Sequence, residues 1–256
     1  MKTRNYLSLL LLILSLLLIG LSGCRKDSKR KVKKNHRQEV GASAHDLLSD
    51  DDYKTAIIEI QYMSGFRPSD QAIQNLKTFV GQRLHKNAIT VKFSEISARG
   101  KGSYSLDEIR KIEDDSRTEF SSKKSIATYF LFVDGSYSED TADGKVLGLA
   151  YFNTSMVIFE GTITDLTGGF GEPELYKLET LVLTHEFGHI LGLVNLGSAM
   201  QAEHQDEAHG NHCDNQDCLM NWEAEGGNAV QNLLGNAPIP ELDANCLNDL
   251  QANGGK

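Results

Sequence analysis

Three things are scarce in this 256-residue chain: cysteine, basic charge after residue 37, and long apolar runs. Beyond Cys24 there are only Cys213, Cys218 and Cys246, so at most one internal disulfide can close and a disulfide-dense scaffold is excluded. Residues 1–37 hold ten of the 26 Lys and Arg but one of the 35 acids. The remainder keeps 16 basic against 34 acidic groups, a formal charge of −18. A domain that acidic is a poor nucleic-acid binder, and no nucleic-acid partner is expected. The apolar run Leu7–Leu21 is too short and wrongly flanked for a stable membrane span. No internal repeat is present.

What is there begins with "MKTRNYLSLLLLILSLLLIGLSGC", residues 1–24. A basic start followed by an apolar stretch reads as a secretory signal. Its end, "LSGC", resembles the box at which bacterial lipoproteins are cleaved and lipidated, with Cys24 as the acylated residue. That resemblance implies a lipid anchor in the cell envelope, facing outside the cytoplasm. Residues 25–37, "RKDSKRKVKKNHR", carry eight Lys or Arg and no apolar periodicity. They read as a solvated tether suited to anionic head groups. Residues 25–53 as a whole are expected to be basic and polar tether.

From residue 54 the pattern changes. Strands are expected over 55–62, 88–96, 125–135, 145–152 and 155–161, with helices over 67–84 and from Ser105 to about 118. Ser105 and Glu108 have capping-box spacing. A last long helix starts near Pro173 and runs to about Gly192, apolar on two faces and so expected to be buried. This order predicts an α+β fold: a twisted mixed sheet with packed helices over 54–192. A smaller, loop-rich subdomain is expected over 193–256.

The chemistry lies in "THEFGHILGLVNLG", residues 184–197. His185 and His189 are four apart and share a helix face, so both can reach one ion. Glu186 sits about 100° further round the helix, within reach of a water at that ion. Zinc in such a site brings the pKa of its water towards ~7, and the carboxylate takes the proton. Gly192 allows the helix to stop. Downstream, "HCDNQDCLMNW" spans residues 212–222.

Together these segments resemble the metzincin clan of zinc peptidases, and His-Cys, four residues, Cys-x-Met is similar to the archaemetzincin family. The resemblance covers the helix and the segment after it. It implies a metzincin-like sheet, zinc on His185, His189 and His212, Glu186 as general base, and Met220 as a hydrophobic floor beneath the metal. It also implies peptide or protein substrate held on an edge strand, for which "LGLAYF" at 147–152 is the candidate. The chain departs from the family in two ways. Asn195 stands where a third histidine is usual, and 19 residues, 193–211, intervene before His212. A later Cys-x-x-Cys that helps bind a second zinc in the family is reduced here to Cys246, so a Cys213–Cys218 disulfide is expected instead. His204 and His209, inside the insertion, are alternative ligands.

The function expected is a membrane-anchored, zinc-dependent endopeptidase or aminopeptidase. One rival is a peptidase with Glu203, Glu207 or Glu223 as third ligand; Gly192 and the methionine turn argue against it. The other is a surface lipoprotein that binds zinc or a partner on a peptidase-like scaffold without catalysis.

Overall fold

Nine consecutive residues, Thr55–Met63, form β1, whose Ile58 and Ile60 pack into one core and Met63 into another. The computed structural model describes residues 35–141, 144–234 and 237–256. The expected secretory signal, Cys24 and most of the expected basic tether lie outside these residues. In chain order the elements are α1 (Ala44–Leu48), β1, α2 (Asp70–Arg83), β2 (Ala88–Ile96), β3 (Ser103–Tyr104), α3 (Leu106–Ser116) and β4 (Ser125–Phe132). There follow β5 (Ser136–Tyr137), β6 (Gly148–Phe152), β7 (Ser155–Ile158), α4 (Glu160–Asp165) and α5 (Leu175–Ile190). A 3₁₀ turn (Trp222–Glu225), α6 (Ala229–Asn232) and α7 (Ala244–Ala252) complete the chain.

The main sheet has the order β2-β1-β4-β7-β6. The pairings β1–β2, β1–β4 and β4–β7 are parallel, and β6 runs antiparallel to β7 at the edge. Ala150 pairs with Met156, and the register shifts between Ala150 and Phe152. β3 and β5 make a separate two-stranded ribbon. β4, "SIATYFLF", is buried almost end to end, as an interior parallel strand covered on both faces must be.

Two hydrophobic cores cover those faces. One joins Leu47 and Leu48 of α1, Leu76 of α2 and Phe187 of α5 to Ile58, Ile60 and Phe130 of the sheet. The other joins Ile109 and Ile112 of α3 to Tyr129, Leu131 and Val157. Several buried polar groups on the second side are paired. Glu59 accepts hydrogen bonds from the Thr118 and Glu119 backbone at 2.8–3.1 Å, and Arg117 meets Glu113 at 2.6 Å. The helix starts follow the sequence: Ser69 caps α2, and Ser105 with Glu108 forms the capping box of α3.

The folded unit begins earlier than the sequence pattern indicates. His36–Lys256 form one compact unit. Residues 38–53, read as tether, contain α1, and Leu47 and Leu48 are buried in the main core. The region 193–256 belongs to the same unit and ends in α7, a helix not foreseen in a segment expected to be loop. The Lys256 N–H donates to the Arg83 carbonyl at 2.9 Å, tying the C-terminal end to α2. Local polarity hid both elements: each is short, and each has its apolar side chains on one narrow face.

If α1 is part of the core, Leu48→Ala should lower unfolding free energy by about 2–5 kcal/mol, as a cavity-forming change does. Denaturant unfolding of residues 36–256 measures it; a loss within about 0.5 kcal/mol, typical of surface sites, would return residues 38–53 to the tether.

Candidate metal centre

α5 is fully buried from Leu178 to Ile190. One turn apart on it, His185 and His189 bring their Nε2 atoms to 3.0 Å from each other. His212 arrives from the loop beyond. Its ring stacks on His185 at 5.3 Å and meets His189 edge-on at 5.1 Å. His185 Nδ1 donates to the Leu219 carbonyl at 2.8 Å, and His212 Nδ1 to the His209 carbonyl at 2.8 Å. A proton on each Nδ1 leaves the two Nε2 lone pairs facing the same point.

A fourth group joins them. The Glu225 carboxylate lies 3.4 Å from His212 Nε2, 3.8 Å from His185 Nε2 and 3.9 Å from His189 Nε2. The ligating atoms of all four residues lie within 4.8 Å of one another. Zinc–nitrogen bonds of ~2.05 Å in a tetrahedron set ligand atoms roughly 3.3 Å apart. His212 Nε2 and Glu186 Oε1 are buried with no hydrogen-bond partner. Orphaned polar atoms converging in this way fit a metal ion and its water better than an empty core.

Glu186 is wholly buried, and its Oε2 accepts from the Ala150 N–H at 2.7 Å. That bond fixes the carboxylate against β6. Gly148 permits the approach, since a Cβ there would come 2.8 Å from Glu186 Cγ. Burial, followed by repulsion from Glu225, pushes the Glu186 carboxyl well up, and the Ala150 N–H offsets part of this. Burial raises the Glu225 carboxyl too, but hydrogen bonding and attraction from His185 and His212 outweigh it and hold the group below the usual carboxylate range. Burial, then the charges of His185 and His212, lowers His189. A cavity of about 290 Å³ opens on these groups, with Leu149 and Ala150 of β6 on one side and residues 209–211 on the other.

The methionine turn sits directly beneath α5. Met220 is fully buried, and a Cβ on Gly188 would lie 2.3 Å from its sulfur. The Cys213 N–H donates to the Met220 carbonyl at 2.7 Å, which sets His212 beside the turn.

Asn195 stands away from the centre. Gly192 adopts φ +77°, and a Cβ there would meet the Ser198 nitrogen at 2.6 Å, so only glycine fits. Val194 and Asn195 follow in left-handed conformation, φ 49° and 67°, and Asn195 is exposed. His209 is not at the centre either. It stacks on Trp222 at 4.2 Å at the cavity rim and pairs with Asp206.

His204 belongs to a second group. Its Nε2 meets the buried Asp249 carboxylate at 2.8 Å, which turns Nδ1 to Cys213 Sγ at 3.4 Å. His204, Cys213, Asp243 and Cys246 offer ligand atoms within 4.8 Å of one another. Cys218 Sγ lies 3.7 Å from Cys246 Sγ and accepts N–H bonds from Met220 and Asp243, each at 3.4 Å. The expected Cys213–Cys218 disulfide is absent: all three cysteines are free and buried. Both sulfurs turn inward to this group rather than to a bond across their own short loop. Thiol hydrogen bonds from Cys213 and Cys246 push the Cys218 thiol down to about 4, so a thiolate is available. Sequence reasoning missed Glu225 and Asp243. Glu225 follows Met220 by five residues with no motif to mark it, whereas Asp243 stands three before Cys246, at Cys-x-x-Cys spacing, and could have been noticed.

Because Met220 fills the space a side chain at residue 188 would need, Gly188→Ala should destabilise the unit by about 1–3 kcal/mol through overpacking. Thermal or denaturant unfolding tests this, and a neutral result would mean that the turn does not pack tightly on the helix.

No protein-family model and no curated protein matches the chain. Among solved structures, the chain is similar to archaemetzincin from Methanopyrus kandleri, with 17% identity over 78% of this chain and 96% of that one, at a TM-score of 0.51. A metalloproteinase-II from Bacteroides fragilis aligns at 16% identity over 81% of this chain and 55% of that one, with a TM-score of 0.42. The architecture is therefore α+β with a twisted, mostly parallel sheet, an archaemetzincin-like fold.

Proposed function

We propose that the chain is a zinc metallopeptidase in which His185, His189 and His212 hold the metal and Glu186 is the general base. The observation that carries this reading is the convergence of three histidine Nε2 atoms beside a buried carboxylate, at an antiparallel sheet edge. When bound, zinc supplies a Lewis acid that polarises the scissile carbonyl and acidifies water. The protein's own residues do the rest. β6 is the edge strand of the main sheet, and an extended peptide would pair there through backbone groups other than the Ala150 N–H that Glu186 takes. Glu186, held by the Ala150 N–H, takes a proton from the attacking water and returns it to the leaving amine. Met220 gives the histidines an apolar floor and offers no ligand.

The second group supports a structural metal in the same proposal. His204, Cys213, Asp243 and Cys246, with Asp249 behind the imidazole, would make a closed four-ligand site, and Cys218 stands beside Cys246.

Metal analysis and proteolysis of unfolded protein by residues 36–256 test the reading. Two zinc ions per chain and chelator-sensitive cleavage are expected. Glu186→Gln should keep both metals and lose about 10²–10⁴-fold in rate. His212→Ala should lose the catalytic metal, and Asn195→Ala should keep it. Zinc binding without any cleavage by the wild type would favour the binding lipoprotein.

We further propose that the protein is held in the cell envelope through acylated Cys24, aided by the basic residues 25–37. What supports this is the "LSGC" box and the charge run. No helix among the described residues is long and apolar enough to cross a membrane. Cys24→Ala should abolish acylation and shift the protein to the soluble fraction; an unacylated variant retained after a high-salt wash would overturn the anchor.

A further inference from the structure

The four-residue centre contains one ligand more than a catalytic metal uses. A hydrolytic zinc site keeps three protein ligands and one open position, whereas four protein ligands make a closed site. Glu225 supplies the extra group. Its Oε2 faces all three imidazoles at once, 3.4–3.9 Å from their Nε2 atoms, over the side that the histidines leave open.

The two carboxylates at the centre are held in different ways. Glu186 is wholly buried and hydrogen-bonded to β6. The Glu225 side chain is 34% exposed, so its carboxylate has a path to solvent. Its backbone is tied down: the Glu225 carbonyl accepts from the Leu147 N–H at 2.9 Å, and Gly226 bridges Val146. Side-chain rotation can therefore move the carboxylate while the main chain stays in place. The anchoring residues 146 and 147 run directly into β6, the strand on which substrate would pair. The cavity beside β6 is lined by Leu149, Ala150 and Glu225 together. A peptide lying along β6 with its carbonyl at the metal needs the space that this carboxylate occupies.

We infer that Glu225 is a displaceable fourth protein ligand, which closes the metal site in the resting protein and is driven out to solvent by a peptide docking on β6. This rests on the metallopeptidase reading and adds to it a built-in latency. Its consequences are a metal held tightly in the absence of substrate and weakened binding of any small ligand that competes for the fourth position.

The test uses residues 36–256, the compact folded unit. Zinc affinity is measured by competition with a chromophoric chelator in wild type, Glu225→Gln, Glu225→Asp and, as a charge control, the exposed Glu207→Gln. Affinity of the zinc-loaded proteins for acetohydroxamate is measured by calorimetry. Glu225→Asp keeps the charge but shortens the reach by one methylene. Both Glu225 variants should lose at least about tenfold in zinc affinity, the lower end of the effect of removing even an outer-sphere partner. The zinc-loaded Glu225→Gln protein should bind hydroxamate at least severalfold more tightly than wild type, and Glu207→Gln should match wild type in both measurements. Unchanged zinc and hydroxamate affinities in Glu225→Gln would overturn the inference alone. So would a loss of zinc affinity in the Gln variant that the Asp variant does not share, since that is an effect of charge and not of ligation. A wild type whose zinc content is unaffected by His185→Ala would overturn both this inference and the peptidase reading.

Discussion

Met220 against Gly188 is the contact on which the rest of the centre depends. A side chain at residue 188 would occupy the space of the Met220 sulfur, so the bare backbone there lets the turn press directly against α5. That contact sets the height of two carbonyls. Leu219 reaches His185 Nδ1, and Met220 receives the Cys213 N–H. The first orients a histidine already on the helix. The second brings in His212, which is remote in sequence. One close packing contact thereby places ring nitrogens from two separate segments around one point, at a tolerance that loop entropy alone would not allow.

The second cluster bears on the same turn from the other side. Cys213 and Cys218 bracket it, and their sulfurs face His204 from the insertion and Cys246 from α7. The 19-residue insertion and the C-terminal helix are thus tied to the segment that carries His212. Asp249, fully buried on α7, completes the arrangement by fixing the His204 tautomer. A metal there would cross-link three stretches of chain, coupling its binding to the folding of this loop-rich region.

Electrostatics divides the centre into fixed and movable parts. Glu186 and the histidines lie in a nearly solvent-free interior, where an unpaired charge is costly. Glu225 lies at the edge of that interior and lowers the cost by facing the histidines. Next to it, the one antiparallel strand of the sheet lies at the sheet edge along the cavity, with its Ala150 N–H taken by Glu186.

The five strands of the main sheet, the two capped helices and the buried α5 were legible in the sequence because each follows from local periodicity and capping chemistry, whereas β3, β5 and α4, which takes the end of the strand expected over 155–161, were not. α1 and α7 were not, since short polar helices gain their stability from the core they join. His185, Glu186 and His189 could be grouped from spacing alone, because four residues on a helix fix a distance. Asn195, which departs from the family pattern, lies in a left-handed turn where the chain leaves the helix. No spacing rule places Glu225 opposite His212, or draws His204, Asp243 and Cys246 together. Those groupings arise from long-range packing, where the separation of side chains is set by which faces of distant segments meet and not by the number of residues between them. By itself the sequence determined the helix with its two histidines and the order of strands behind it. Which further groups close around them was decided by the tertiary structure, through the burial of Met220 and the inward turn of three sulfurs.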